Sequence, residues 1–168
     1  DPFITGYFYV AIDIPQALRN KISTDASRLG LYCREVTGAS ININIAERKG
    51  LGQTKTHIPT YSDFDRSLNL VFYDTYNAGL SFVFKTWALM VADLKTGLHL
   101  YKSISDIKGN AIVVHLAPNA EYLYIDFYQG ILPNTVPTLQ QSRDNISIKE
   151  VQVSFMVVNF IPGKPATL

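Results

Sequence analysis

Cysteine is nearly absent from the 168-residue chain. Cys33 stands alone, so no internal disulfide and no multi-cysteine zinc site can form, which fits a reducing compartment. Charge is scarce too: 17% of residues are charged, and 15 basic against 14 acidic side chains leave a net charge of +1. No strong field therefore draws the chain to DNA or to an anionic membrane. Long apolar runs are missing; none approaches the roughly 18–20 residues that span a bilayer, so no membrane insertion is expected. No basic-then-apolar leader opens the chain. Three histidines (His57, His99 and His115) lie far apart, never at the spacing of a metal site. With an apolar fraction of 47%, low charge argues against disorder. The length fits one domain, 1–168, with a core large enough to need neither disulfide nor metal.

What the chain does have is Tyr and Phe, ten and nine of them, mostly in runs that read as strands. "YFYVAIDI" alternates, with Phe8, Val10, Ile12 and Ile14 on one face, and Pro15 ends it. Residues 16–30 are mixed polar, with weak helical or loop character. "LYCREV" and "SININI" follow, separated by Thr37–Gly38. The second alternates strictly, Ile41, Ile43 and Ile45 against Asn42 and Asn44, and is expected to be half buried. Residues 46–61 form a long polar loop, expected as an extended hairpin and as functional or mobile. "SLNLVFYD" resumes the strand pattern. One helix is expected from about 78 to 94, with Leu80, Phe84, Trp87, Ala88 and Val91 on its apolar stripe and Lys95 and Gly97 stopping it.

Two strands, "NAIVVHLA" and "EYLYIDFYQG", flank Pro118–Asn119 and are expected to pair as a hairpin. The chain then reads as a turn exposing Ile131, Leu132 and Val136 with two prolines. In "ISIKEVQVSFMVVNFI" the apolar set changes phase after Ile146 and Ile148, which predicts a bulge or a sheet crossing near Lys149–Glu150. Val151 to Val158 reads as apolar on both faces. Strand-rich ends, one helix midway and no βαβ rhythm give an α+β, mainly β, antiparallel domain.

Catalytic chemistry is thin. "GLGQTKT" fails as a phosphate loop because Thr54, not glycine, precedes Lys55, and no helix follows. Cys33, in a strand pattern, reads as a small buried apolar group. His115 reads as a surface or satisfied residue. Asp63, Asp65 and Asp74 suit turn and cap roles, and Arg48, Lys49 and Lys55 suit a solvated loop. No catalytic, cofactor-binding or metal-ligating residue is assigned.

The order of these signals resembles the tail tube protein of contractile-tailed bacteriophages. It is carried by "YFYVAIDI", by "CREVTGASININI" as a strand pair, and by a basic loop ending in "HIPTY". "LNLVFYD" then leads into a helix bearing "FKTWALMV", and "AIVVHLAPNAEYLYIDFYQGILPNTV" precedes "IKEVQVSFMVVNF". The similarity runs from about Tyr7 to Ile161 and is weak over 16–30 and 96–109. It implies two antiparallel sheets packed as a half-open barrel with one flanking helix and a C-terminal arm at 161–168.

The same resemblance, shared with the ring protein of type VI secretion, implies hexameric rings stacked into a hollow tube for genome delivery. The partners it implies are further copies, the tail sheath protein and baseplate tube proteins, in a virion tail assembled in the host bacterial cytoplasm. DNA would cross the lumen without specific binding. A baseplate tube-initiator, or another contractile-injection tube subunit, would share these signals. On this reading Ile131, Leu132, Pro133 and Val136 meet a neighbouring subunit; the alternative folds them over their own sheet end. Glu47, Arg48, Lys49 and His57 would reach a stacked ring, and Asn42 and Asn44 would face the lumen or the outside solvent. A rival of another class is a β-sandwich binding module with Tyr122, Tyr124 and Tyr128 as a stacking platform.

Overall fold

The computed structural model describes residues 7–22, 26–38, 40–49, 55–74, 79–92, 95–96, 103–119, 121–136 and 149–163. Ile146, Ile148, Gly97 and the end of the C-terminal arm lie outside these residues. Among the described residues nine strands and two α-helices follow in order: β1 (Phe8–Asp13), α1 (Gln16–Arg19), β2 (Cys33–Thr37), β3 (Ile41–Lys49), β4 (Lys55–Phe64), β5 (Ser67–Tyr73), α2 (Gly79–Val91), β6 (Gly109–Leu116), β7 (Tyr122–Thr135), β8 (Glu150–Met156) and β9 (Asn159–Ile161). Short 3-10 stretches occupy Ala26–Tyr32 and Ile104–Asp106.

Seven strands form one antiparallel sheet in the order β1-β6-β7-β8-β5-β2, with β9 added on β7. β3 and β4 form a separate two-stranded sheet. β1 and β2 end the path without meeting, so the large sheet stays open. This is the expected mainly β, α+β architecture with two antiparallel sheets and one principal helix.

The large sheet changes partners at β7, and one sequence expectation is corrected there. Residues 130–136 are not an exposed turn: β7 runs on through Gly130, whose φ of 66° only glycine adopts cheaply. Up to Ile131 the strand pairs with β6 and β9; from Leu132 it pairs with β8. Pro133 fits because the ladder shifts register between Pro133 and Thr135, where a missing N–H costs little. The phase change expected near Lys149–Glu150 turns on Ile146 and Ile148, which lie outside the described residues. Val151, Val153, Phe155 and Val157 are buried while Gln152, Met156 and Val158 are exposed, so this stretch is covered on one face only by its own chain. A change of partner does occur at Val157–Val158, after which the chain returns to β7 as β9. Finally, β2 and β3 are not a pair: β2 lies on β5 at the sheet edge, and β3 lies on β4.

The core forms between the large sheet and α2. Helix α2 buries Leu80, Val83, Phe84, Trp87 and Met90. The predicted stripe had the right period but was turned slightly, since Val83 and Met90 are buried where Ala88 and Val91 were expected. The aromatic pair sets that rotation. Phe84 lies 5.0 Å from the Phe72 ring and 6.0 Å from Phe155, and Trp87 lies 5.5 Å from Phe155. The Trp87 indole N–H donates to the Ile107 carbonyl at 2.8 Å, which satisfies the one polar atom of a fully buried ring. Gly109 makes room for it: a Cβ there would sit 2.7 Å from the indole and 2.6 Å from the Asp13 carbonyl.

Candidate functional site

The β3–β4 hairpin has almost no part in this core. Its strands pack on each other and, among the described residues, on no other element to any extent. Ile43 and Ile45 are each 61% exposed, and Ile58 is exposed as well. Asn42, Asn44, Ala46, Glu47 and Arg48 are exposed too, so the expectation of a half-buried strand is corrected. Alternation identified which residues share a face, but a two-stranded sheet outside the core supplies cover to neither face.

The register fixes those faces. Ile43 lies opposite Ser62, Ile45 opposite Pro59 and Glu47 opposite His57, and cross-strand partners share a side. One face is therefore apolar near the base (Ile43, Ile45, Pro59) and ionic near the tip. There Glu47 meets Lys55 at 3.4 Å and His57 at 3.5 Å. The other face carries Asn42, Asn44, Ala46, Arg48 and, opposite Ala46, the exposed Ile58. A bulge between Asn44 and Ile45 leaves Thr60 as the extra residue, and its hydroxyl donates to the Asn44 carbonyl at 3.0 Å. Lys49 pairs with Lys55 through the backbone; its side chain lies outside the described part. The long polar loop at 46–61 is thus mostly ordered hairpin, as expected.

The structure separates the predicted contact residues into two groups. Glu47, Arg48, His57, Asn42 and Asn44 sit together on the exposed hairpin. Ile131 is fully buried in the chain's own core, Pro133 is buried, and Leu132 and Val136 are half-buried against it. Ile131 and Pro133 are therefore covered by their own chain, as residues of strand β7 within the sheet and not as a loop folded over its end. Sequence reasoning missed that Ile43, Ile45 and Ile58 stand exposed on the hairpin. The uncharged stretch "SININIA" was the available signal.

The tyrosine platform does not form. Tyr122 is 66% exposed, but Tyr128 is 3% exposed, with its ring 5.0 Å from Phe160. Tyr124 stacks on His115 at 4.0 Å between ring centres. His115 Nε2 lies 3.1 Å from Asp126, whose other oxygen accepts the Gly163 N–H at 2.9 Å, so His115 has a local structural partner.

Asp74 and Asp65 serve the fold. The Asp74 side chain, 1% exposed, accepts the Leu80 and Ser81 N–H groups at 3.2 and 3.4 Å, the Ser81 hydroxyl at 2.6 Å and the Lys149 ammonium at 2.9 Å. It caps α2, as its sequence context suggested. Burial alone would raise its carboxyl, but the Ser81 and Lys149 hydrogen bonds and the lysine charge hold it below the usual carboxylate value. Asp65 likewise accepts from the Ser67 N–H and hydroxyl, at 3.1 and 2.9 Å. Burial pushes the Cys33 thiol up to about 12, which makes it a poor nucleophile. Among the described residues no three metal-ligating side chains converge, and no helix is long and apolar enough to cross a membrane.

No family model and no curated protein matches the chain. Solved structures match its fold. A chain of the six-fold symmetrised anti-feeding prophage baseplate aligns with a TM-score of 0.61 at 11% identity, over 96% of this chain and 95% of its own. A chain of the anti-feeding prophage tube-terminating cap aligns at 0.60 and 11% identity, over 99% and 93%. One from the sheath/tube terminator of an extracellular contractile injection system aligns at 0.59 and 13% identity, over 96% of both chains. The fold is thus one found in components of contractile injection machines.

Proposed function

We propose that the chain is a structural tube subunit of a contractile tail, a bacteriophage tail tube protein. It forms hexameric rings that stack into a hollow conduit for the genome. The observation that carries this reading is the β3–β4 hairpin, whose Ile43 and Ile45 are left 61% exposed by their own chain. An isolated two-stranded hairpin is marginal in water. Burying an exposed Ile is worth about 1.5–3 kcal/mol in full, so these two would contribute about 1–2 kcal/mol each when covered. The open ends of the large sheet, β1 and β2, give a second reason for neighbours, since unpaired edges invite pairing.

The hairpin and the sheet are different surfaces of one chain. Contact between them is heterologous, and heterologous contacts generate rings and filaments. Glu47, Arg48, Lys49 and His57 at the tip reach the adjacent ring, with Leu132 and Val136 at the margin of the contact. Asn42 and Asn44 present an uncharged wall, which suits a lumen that must not grip a polyanion. The partners are copies of itself, the tail sheath protein and baseplate tube proteins. The setting is the virion tail, assembled in the host cytoplasm, and the chain has no catalytic role.

A second reading, a subunit at one end of the tube, is favoured by the fold likeness to baseplate, cap and terminator chains. Negative-stain microscopy of the purified protein distinguishes them. Long hollow tubes support the main-tube reading, discrete rings the end-subunit reading, and a monomer at every concentration overturns both.

A further inference from the structure

Resting on that tube reading, we infer that the apolar face of the β3–β4 hairpin docks on the outer face of β1, β6, β7 and β9 in a second copy of the chain. The core claims one side of these strands, through Val10, Ala111, Val113 and Tyr128. The register defines what lies on the other side. Ala11 faces Ile112, Ile112 faces Phe127, and Phe127 faces Ile161, giving an apolar row across all four strands. The adjoining row is Tyr9, Val114 and Ile125. Phe127 is 40% exposed, Ile161 42% and Tyr9 40%.

A polar row bounds this face. Asp13, Asn110, Gln129 and Asn159 lie opposite one another in turn, and their side chains bond within the chain. Asp13 pairs with Arg19. Asn110 accepts the Gly130 N–H at 3.2 Å, and Asn159 donates to Gln129 at 3.1 Å. The apolar rows carry no charge.

The hairpin matches this face in chemistry and in length. The face formed by Ile43, Ile45 and Pro59 is uncharged, so contact through it would desolvate no ion on either side. Four strands span about 14 Å between the outer two, and the five residues Ile41 to Ile45 span about 13–14 Å. The apolar half of the hairpin therefore crosses the four-strand face and leaves the Glu47, Lys55 and His57 cluster beyond it. The receiving strands belong to the other end of the sheet. The hairpin springs from between β2 and β5, rooted by the Asp65 N–H on the Ser40 carbonyl at 2.9 Å, whereas β1 and β6 end the opposite side. A second copy is thus the occupant, and the contact repeats from one copy to the next.

Cysteine pairs test this on the full chain in a Cys33→Ala background. Ile43→Cys or Ile45→Cys is combined with Phe127→Cys or Ile161→Cys, and the assembled protein is oxidised. The expected result is a ladder of disulfide-linked dimers, trimers and higher species for at least one pair, absent from each single variant. In parallel, Phe127→Asp and Ile161→Lys are expected to keep the circular dichroism of the parent and to lose assembly. If the parent assembles, no pair cross-links between chains, and both charged variants assemble normally, the docking inference fails while the tube reading stands. Disulfides formed within single chains would also overturn it, because the hairpin would then cover its own sheet. A parent that stays monomeric removes both readings.

Discussion

Asp74 ties three separate parts of the fold together, and its removal has a calculable effect. The carboxylate caps α2 through two backbone N–H groups and the Ser81 hydroxyl, and it binds Lys149 just before β8. Loss of a capping side chain costs about 0.5–2 kcal/mol. Loss of a charge-assisted bond in a site 1% exposed adds about 1 kcal/mol, discounted because Lys149 is 30% exposed and rehydrates. Asp74→Ala is therefore expected to cost about 1.5–3 kcal/mol, or roughly 3–12 °C in Tm at this chain length. Asp74→Asn, which keeps a capping oxygen, should lose only about 1 kcal/mol.

The sign of the pH effect follows from the lowered carboxyl. A group whose folded pKa is depressed below its unfolded value of 3.8 stabilises fully above that value. The contribution fades as pH falls through 3.8 and through the lower folded value. Wild type should lose this increment in acid, and Asp74→Asn should show a flatter acid limb. Urea unfolding read by the fluorescence of Trp87, the chain's one tryptophan and fully buried, measures both effects. A loss below about 0.5 kcal/mol for Asp74→Ala, in the range of an ordinary surface change, would show that the cap and ion pair do not stabilise α2. An Asn variant with the wild-type acid limb would show the same.

Gly130→Ala should destabilise by about 1–2 kcal/mol, because φ of 66° disfavours any Cβ and this one would meet Val158 at 3.0 Å; thermal melting reads it. Ile43→Asp and Ile45→Asp should leave the melting of the dilute chain within about 0.5 kcal/mol of wild type yet abolish assembly in sedimentation velocity. Leu132→Asp is expected to behave differently: Leu132 packs half-buried against the core, so the chain itself should lose about 1–3 kcal/mol, seen as a lower Tm before any assembly is measured.

Elements with a strong period were readable from residues alone. β1, β5, α2 and the β6–β7 hairpin appear where alternation or a 3.6-residue stripe placed them. Periodicity reports which side chains share a face, not what covers it, and the Ile/Asn alternation of β3 looks the same whether one face is buried or neither is. Only the tertiary placement of the hairpin shows that it stands outside the core. At Gly130–Pro133 the punctuation of glycine and proline suggested a turn, but a strand changing partners needs the same residues, one for positive φ and one where the ladder shifts. The parity of Tyr122, Tyr124 and Tyr128 suggested a common platform. Burial of Tyr128 beside Phe160 depends on β9, which folds back from far along the chain. The Asp74–Lys149 pair spans 75 positions, beyond the reach of any local pattern.

The central claim is that identical neighbours complete this chain. Negative-stain microscopy over a concentration series tests it most directly. The account predicts six-membered rings, or tubes with an open channel, replacing monomers as concentration rises. A folded, monodisperse monomer persisting at the highest concentration reached, with Ile43 and Ile45 still exposed to solvent, would contradict it.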